Sequence, residues 1–333
     1  MINLDMNENR HIKEIIMPNN DYQRIYPRKN GHDLVKLLST IHEIDYNDIY
    51  LVNGIDEGIW HFLKYVQQKH LELYIDTPNY CGVLDGIRAL NIQAIINSHA
   101  DCYNADSTIQ FLQENSGIIK AAYLCSPINP LGICISRLKD IIDICEKNDI
   151  LVFLDQAYIE FCNSDITFKD IYNYNNLILA RTFSKAYGLA GIRCGYIATR
   201  NPYFANVLNE SRIIQQYHLS SYSIQCAIRA LYDHNRLQEA LSQIEHEKQK
   251  LYLFLESLKL RYIQTKTNFV LIYLESFSKE FLQFANDNGV VLTSTEDFGL
   301  PNYVRISIGN ADDMKKLKWI ILEYWRKRHH NDL

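Results

Sequence analysis

The segment TFSKAYGLAGIRCGYI, residues 182–197, places two cations, Lys185 and Arg193, eight residues apart among small and apolar residues. A surface loop would give these charges more polar neighbours. A lysine amine attacks carbonyl groups, and an arginine binds phosphate through its fork of N–H donors. The pattern therefore raises the question of whether an anionic ligand binds here, and the small residues would allow the backbone to approach it closely.

Polar residues also follow three other apolar runs. Asn53-Gly54-Ile55-Asp56 follows IYLV, and its glycine and acidic first turn favour a helix start that binds phosphate. A helix start that Asp56 merely caps explains the same residues equally well. Asn129 lies in a proline-rich turn after IIKAAYL, which alone is ordinary turn chemistry. Asp155 and Tyr158 follow ILVFL, where a carboxylate needs a cationic or hydrogen-bonding partner.

The elements that carry these residues are short apolar runs alternating with amphipathic segments. This order predicts an α/β fold, in which a mainly parallel sheet of the seven-stranded type is sandwiched by helices. In such sheets ligands bind outside the carboxyl ends of the strands, where the polar residues collect. The predicted strands are 49–52, 71–75, 92–97, 118–124, 150–154, 176–181 and 194–199, and the predicted helices lie near 56–70, 81–90, 105–115 and 136–148.

The pattern changes after about residue 200. Residues 203–260 are typical of helices, and TNFVLIYL and YVRISIG predict strands on either side of a helix, SKEFLQFANDNG. We expect a large ligand-binding domain over residues 24–225. A smaller α+β domain would combine residues 1–23 with 226–333.

Composition narrows the class of protein. The 39 acidic and 34 basic residues are interspersed, so we expect no nucleic-acid partner. No apolar run approaches the roughly 18 residues that span a membrane, and MINLDMNENR has no apolar signal region. The eight cysteines form no CxxC pair, which disfavours disulfides and a metal site. We expect a cytoplasmic protein with reduced thiols.

The polar residues at the four strand ends fit pyridoxal 5'-phosphate (PLP). Lys185 would bond the aldehyde, and Asp155 would keep the ring nitrogen protonated. Asn129 and Tyr158 would donate to the phenolic oxygen. The phosphate would be held by the residues Gly54, Ile55, Asp56, Thr182, Ser184 and Arg193.

The chain resembles the fold-type I PLP-dependent aminotransferases, and within them the histidinol-phosphate aminotransferase group. The resemblance rests on LDMNEN, IYP, NGIDEGI, TPNY, CSPINPLG, DQAYIEF, RTFSKAYGLAGIRCGY, TNFV and VRISIG. It implies that Tyr80 stacks on the cofactor ring and that Arg305 binds the carboxylate of the amino donor. It also implies a homodimer with shared active sites, in which Tyr26 reaches the phosphate in the neighbouring subunit.

Several positions depart from the family pattern. Thr293 and Ser294 stand where an Arg-Asp pair is usual, and that arginine helps to bind a substrate phosphate. Arg10 replaces a common proline after NEN, and we expect it to bind substrate together with Asn7. Gln156, Leu131 and Ile25 also differ from the usual residues. Because Thr293 and Arg10 concern the substrate side, a substrate other than histidinol phosphate stays open.

The resemblance implies ping-pong transamination between an amino acid, with glutamate the expected donor, and a small carbonyl compound with or without a phosphate. Decarboxylation of an amino-acid phosphate, or another lyase reaction on the same scaffold, is the alternative. A PLP-sensing regulator would need a DNA-binding segment, for which we expect no room in 333 residues.

Overall fold

The structure is a computed structural model of the chain, and it describes residues 1–15, 26–27, 31–214 and 218–331. In chain order the strands of these residues are β1 (Ile2–Asn3), β2 (Ile49–Val52), β3 (Glu72–Thr77), β4 (Ala94–Ser98), β5 (Ile119–Cys125), β6 (Leu151–Asp155), β7 (Leu177–Thr182), β8 (Gly195–Thr199), β9 (Tyr262–Ile263), β10 (Phe269–Tyr273), β11 (Val290–Val291), β12 (Thr293–Ser294) and β13 (Tyr303–Ser307). The helices are α1 (His32–His42), α2 (Ile55–Gln68), α3 (Cys81–Ala89), α4 (Ala105–Asn115), α5 (Leu138–Lys147), α6 (Pro202–Ile214), α7 (Ser221–Tyr232), α8 (His234–Ser257), α9 (Ser278–Asp287) and α10 (Ala311–Asn331).

The central sheet has seven strands in the order β2-β8-β7-β6-β5-β3-β4. Neighbours from β7 through β4 are parallel, whereas β8 is antiparallel to both β7 and β2. Six of the seven strands therefore point the same way. The predicted α/β class and mainly parallel sheet are confirmed.

Both faces of this sheet are covered by helices, which explains why its central strands are largely apolar. Alternate residues of β5 point to opposite faces, so Tyr123 packs with α2, α3 and α6, and Leu124 packs with α1, α4, α5 and α7. The side chains of Phe62 on α2 and Ile141 on α5 are fully buried against the two faces. Burial on both sides fixes the register of the strands, and with it the positions of the residues at their ends.

A second, antiparallel sheet has the order β12-β13-β10-β9 and packs with α8, α9 and α10 around a separate apolar cluster. Strand β1 pairs in parallel with β11, so the start of the chain joins this C-terminal layer. From there residues 4–9, here called the N-terminal segment, run between the two sheets.

Asn7 anchors the N-terminal segment to both sides. Its backbone N–H donates to Ser307 Oγ at 2.8 Å, and its carbonyl accepts from Asn268 Nδ2 at 2.9 Å. Its own Nδ2 donates to the hydroxyl of Tyr158 at 2.9 Å, on the side of the large sheet. Further along, Asn9 Nδ2 donates to the Ala186 carbonyl at 2.7 Å. The segment is thus fixed where the ends of the large sheet face the small one.

Within the described part of the chain, no helix combines the length and the apolar composition needed to cross a membrane. The same residues contain no group of three or more His, Cys, Asp or Glu side chains arranged to hold a metal ion.

Candidate active site

The strand register brings the predicted site residues to one edge of the large sheet. Asp155 at the end of β6 lies between Cys125 on β5 and Ala180 on β7. At the antiparallel strand, Gly195 pairs with Thr182 on one side and with Val52 on the other. The turn that follows Val52 therefore lies beside the end of β7, although about 130 residues separate the two in sequence.

A cavity of about 310 Å³ lies at this edge, here called the cofactor cavity. Its size suits a small ligand. Ten residues predicted from the sequence line it: Ile55, Asp56, Tyr80, Asn129, Asp155, Tyr158, Thr182, Ser184, Lys185 and Arg193. Gly54 is not among the lining residues but lies against the Arg193 guanidinium. The structure thus brings these residues together, while the role of each stays a prediction.

The Asp155 carboxylate is buried beneath the cofactor cavity. The Tyr123 hydroxyl donates to Oδ2 at 2.6 Å, and the Ala157 N–H donates to Oδ1 at 2.8 Å. Burial is the largest influence on this group, and it raises the pKa of Asp155 to about 6 in spite of the two hydrogen bonds. A nearby protonated nitrogen would favour the ionised carboxylate.

The amine of Lys185 is positioned by the N-terminal segment. Its Nζ donates to the carbonyl of Met6 at 2.9 Å and lies 5.6 Å from the centre of the Tyr158 ring. Burial, followed by the charge of Arg305, lowers the pKa of Lys185 to about 8. A substantial fraction of this amine is neutral near pH 8, and a neutral amine is the form that attacks carbonyls and accepts protons.

The opposite end of the cofactor cavity is built to bind an anion. Arg193 Nη2 donates to Asp56 Oδ2 at 2.8 Å, and the Thr182 hydroxyl donates to Ser184 Oγ at 2.9 Å. Helix α2 begins here, so its first N–H groups and positive dipole end face the same region. Gly54 has a φ of 76°, and a Cβ there would overlap Arg193 Nη2. Glycine is therefore required for the approach of the arginine.

The donor set of the cofactor cavity matches the functional groups of PLP. The amine with a lowered pKa suits the aldehyde, and the buried carboxylate suits the ring nitrogen. The arginine, the two hydroxyls and the helix start suit the phosphate. Asn129 accepts from Arg305 through Oδ1, which leaves Nδ2 as the donor for a phenolic oxygen. These residues fit the cofactor.

Arg305 is buried beside the cofactor cavity, with 5% of its surface exposed. Its Nη1 donates to Asn129 Oδ1 at 2.8 Å, and its Nη2 donates to the carbonyl of Asp5 at 2.8 Å. Its Nε has no acceptor among the described residues. Thr293 pairs with Arg305 across two strands, and its hydroxyl also donates to the Asp5 carbonyl, at 2.6 Å. A buried guanidinium with a free donor suits a substrate carboxylate.

The structure places one predicted substrate residue away from the cofactor cavity, and its part in substrate binding stays a prediction. Arg10 does not line the cofactor cavity, because its Nη1 donates to the carbonyl of Asn3 at 3.3 Å and lies 3.7 Å from Asp313. Asn7 reaches the site through Tyr158, as described above. Tyr26 is 76% exposed in the protomer, and its contact with a neighbouring subunit stays a prediction. Ile25 lies outside the described residues.

Sequence reasoning missed some residues of the site. Met6, Glu8, Cys125, Ala157, Ala190 and Gly191 also line the cofactor cavity, and Tyr123 lies beneath it. The two-residue period of β5 could have placed Tyr123 on the same face as the strand end. No local signal places Met6 and Glu8, since they reach the cavity only through the path of the N-terminal segment. Gln156 points elsewhere, where it accepts from Arg181 at 3.0 Å.

Comparison with known proteins agrees with this geometry. The family model "Aminotransferase class I and II" matches residues 6–318. A histidinol-phosphate aminotransferase 1 from Idiomarina loihiensis is 30% identical over 311 residues, which cover 88% of this chain and 82% of that protein. The histidinol-phosphate aminotransferase from Sinorhizobium meliloti, solved in complex with PLP, superposes with a TM-score of 0.85 at 22% identity, covering 98% and 91% of the two chains.

The chain belongs to the class I and II aminotransferase family and resembles its histidinol-phosphate aminotransferases. It is a PLP-dependent aminotransferase of fold type I. The same fold also occurs in the L-threonine-O-3-phosphate decarboxylase from Porphyromonas gingivalis, with a TM-score of 0.78 at 18% identity, covering 98% of this chain and all of that chain. The fold alone therefore does not select the reaction.

Proposed function

We propose that this enzyme moves an amino group from glutamate to a small carbonyl compound, which carries a phosphate or lacks one. The observation that supports this most strongly is the convergence of Lys185, Asp155 and Arg193 in one cavity, beside the buried Arg305. The names of the family relatives support a carbonyl acceptor related to that of histidinol-phosphate aminotransferases.

In this proposal Lys185 carries out the proton transfers. Bound PLP supplies an electron sink that makes the α-proton of an amino substrate acidic. The Lys185 amine removes that proton and delivers it to the carbon that bore the aldehyde. The Met6 carbonyl, 2.9 Å from Nζ, provides an acceptor that holds the amine in place when it is not bonded to the cofactor.

The other residues of the cavity bind the cofactor and orient it. Asp155 would keep a proton on the ring nitrogen, which requires the carboxylate to be ionised. Asn129 and Tyr158 would donate to the phenolic oxygen, and Tyr80 would lie against the ring. Arg193 would exchange its contact with Asp56 for the phosphate, which Thr182, Ser184 and the turn at Gly54, Ile55 and Asp56 would also hold.

On the substrate side, Arg305 binds the α-carboxylate of the donor through its guanidinium, whose Nη1 and Nη2 now donate to Asn129 and to the Asp5 carbonyl. Asn7 orients Tyr158 through the 2.9 Å hydrogen bond between them. Thr293 is committed to the Asp5 carbonyl at 2.6 Å, so it does not replace the arginine that binds a substrate phosphate in the family.

We further propose a cytoplasmic homodimer in which Tyr26 contacts the phosphate in the neighbouring active site. The division into a large domain, 24–225, and a small domain made of 1–23 and 226–333 is part of the same proposal. The separate sheet β12-β13-β10-β9 supports a small domain, and so does the apolar cluster whose buried members lie at residue 4 and at 244–324. The proposed boundary between residues 225 and 226 falls within α7, whose buried residues Cys226 and Ala227 belong to a core cluster of the large sheet. The boundary between residues 23 and 24 lies outside the described residues.

A half-reaction assay tests the proposed function. The purified, PLP-loaded protein is mixed with glutamate alone, and the visible absorbance of the cofactor is followed. We expect the absorbance to fall as an equivalent amount of 2-oxoglutarate appears, and to return when a carbonyl acceptor is added. Carbon dioxide released from an amino-acid phosphate, without any 2-oxo acid, would identify a decarboxylase instead.

A further inference from the structure

Glu8 is a carboxylate in the cofactor cavity that no assigned role explains. The residue lines the cavity together with Met6 and is exposed to solvent. No described residue forms a hydrogen bond or a salt bridge with it. While burial dominates the lowered pKa of Lys185, the Glu8 charge acts on that amine in the opposite direction, so its field reaches the reacting group.

The N-terminal segment holds Glu8 at this position. Asn7, the preceding residue, is 1% exposed, has a φ of 54°, and is tied to Ser307, Asn268 and Tyr158. Asn9, the following residue, is tied to the Ala186 carbonyl. Two anchored neighbours leave the Glu8 backbone little freedom, so the residue is held in the lining of the cavity.

The other charged residues that line the cofactor cavity have assigned partners. Asp56 pairs with Arg193, and Arg193 faces the phosphate site. Asp155 is held by Tyr123 and faces the ring nitrogen, and Lys185 faces the aldehyde. A substrate whose carboxylate is held by Arg305 therefore meets Glu8 as the charge that has no partner among the described lining residues. Asp56 lies at the phosphate end and still accepts from the Tyr80 hydroxyl, at 3.2 Å, when Arg193 contacts the phosphate.

We propose that Glu8 selects substrates whose side chain carries a cation or strong N–H donors, such as an ammonium, guanidinium or imidazolium group. The inference rests on the proposed function, because it assumes that Arg305 holds the substrate carboxylate. The same carboxylate lowers the affinity for a substrate that carries a second anionic group. Glutamate is accepted in spite of this, since an exposed carboxylate is screened by water and salt.

Binding of substrate analogues without an α-amino group separates this inference from catalysis. We choose 5-(trimethylammonio)pentanoate, pentanoate and glutarate, which share a carboxylate and a five-carbon chain and end in a cation, a methyl group and an anion. The quaternary nitrogen carries a charge but cannot condense with the aldehyde of the cofactor. Their dissociation constants for the PLP-loaded protein are measured by calorimetry with the wild type and with Glu8→Gln. The matched control is Glu14→Gln, which changes an exposed carboxylate that does not line the cavity.

We expect Glu8→Gln to weaken binding of 5-(trimethylammonio)pentanoate about fivefold and to strengthen binding of glutarate by a similar factor, as one partly screened ion pair would. Pentanoate should bind equally to both proteins, and the control should match the wild type. Unchanged affinities for the charged analogues, or an equal change for all three, would overturn the inference. Failure of glutamate to react in the half-reaction assay would instead contradict the proposed function.

Discussion

The Tyr123 hydroxyl donates a 2.6 Å hydrogen bond to the Asp155 carboxylate, from the neighbouring strand of the sheet. Burial raises the pKa of Asp155 to about 6, and the bond from Tyr123 acts against this rise. The contact therefore helps to keep Asp155 ionised, which is the form that can hold a proton on the ring nitrogen of the cofactor.

Tyr123→Phe removes this donor without a large change in volume. Loss of a hydrogen bond to a charged group, worth about 1.5–3 kcal/mol, should raise the pKa of Asp155. The acid limb of the pH profile of kcat then moves to higher pH, and kcat near pH 7 falls about twofold to tenfold. Tyr103→Phe, which changes another buried tyrosine away from the cofactor cavity, is the control. A profile of Tyr123→Phe that coincides with that of Tyr103→Phe would show that Tyr123 does not act through Asp155.

Burial of Asp155 also makes a prediction about stability. The pKa of this group is about 6 in the folded protein and near its ordinary value of 3.8 when unfolded. The folded state binds the proton more tightly, so stability falls as pH rises from about 4 to 6, and the loss persists above that range. Without cofactor, the free energy of unfolding of Asp155→Asn should therefore exceed that of the wild type by about 3 kcal/mol above pH 7. At pH 4 the two free energies should differ little.

Urea unfolding of the two cofactor-free proteins across this pH range measures the difference. Groups that are common to both proteins cancel in the comparison. A difference that stays constant between pH 4 and pH 8, or that grows towards low pH, would contradict the assignment of a buried and raised carboxyl.

Gly54→Ala tests the phosphate end of the cofactor cavity. The substitution strains a residue with a φ of 76° and places a methyl group on the Arg193 guanidinium. We expect the dissociation constant for PLP to rise at least about tenfold in a spectroscopic titration. Gly117→Ala, where nothing lies within 4 Å of the added carbon, should bind PLP as the wild type does. Equal affinities of both variants would place the phosphate elsewhere.

Thr293→Val tests how the N-terminal segment supports substrate binding. The substitution removes the hydroxyl that holds the Asp5 carbonyl beside Arg305. A net loss of about 1 kcal/mol should raise KM for the amino donor roughly fivefold and leave PLP affinity unchanged. Thr293→Ser keeps a hydroxyl and should restore KM, whereas identical behaviour of the two variants would mean that this bond has no part in binding.

Local patterns predicted the elements of the large sheet well. The strand at 49–52 and the helix at 105–115 have the predicted bounds, because their apolar periodicity and flanking residues mark both ends. The strand expected at 92–97 lies at Ala94–Ser98, because its bounds depend on pairing with β3. Its position is set by a neighbour that the local sequence does not show.

The N-terminal segment shows what the sequence could not provide. Asn7 meets Tyr158 across 151 positions, and Met6 meets Lys185 across 179. Contacts of this kind depend on the packing of two sheets, so no local spacing reveals them. The position of Arg10, which we expected at the substrate side of the site, depends on such packing too. The chain turns at Asn9, whose Oδ1 accepts from the His11 N–H, and Arg10 then lies near Asp313.

The covalent partner of the cofactor is the most direct test of the whole account. Borohydride reduction of the PLP-loaded protein fixes the cofactor to the amine with which it has condensed, and peptide mass spectrometry then locates it. We predict a single modified residue, Lys185, and no modification in Lys185→Ala. A cofactor fixed to any other lysine, or to none, would contradict the site described here.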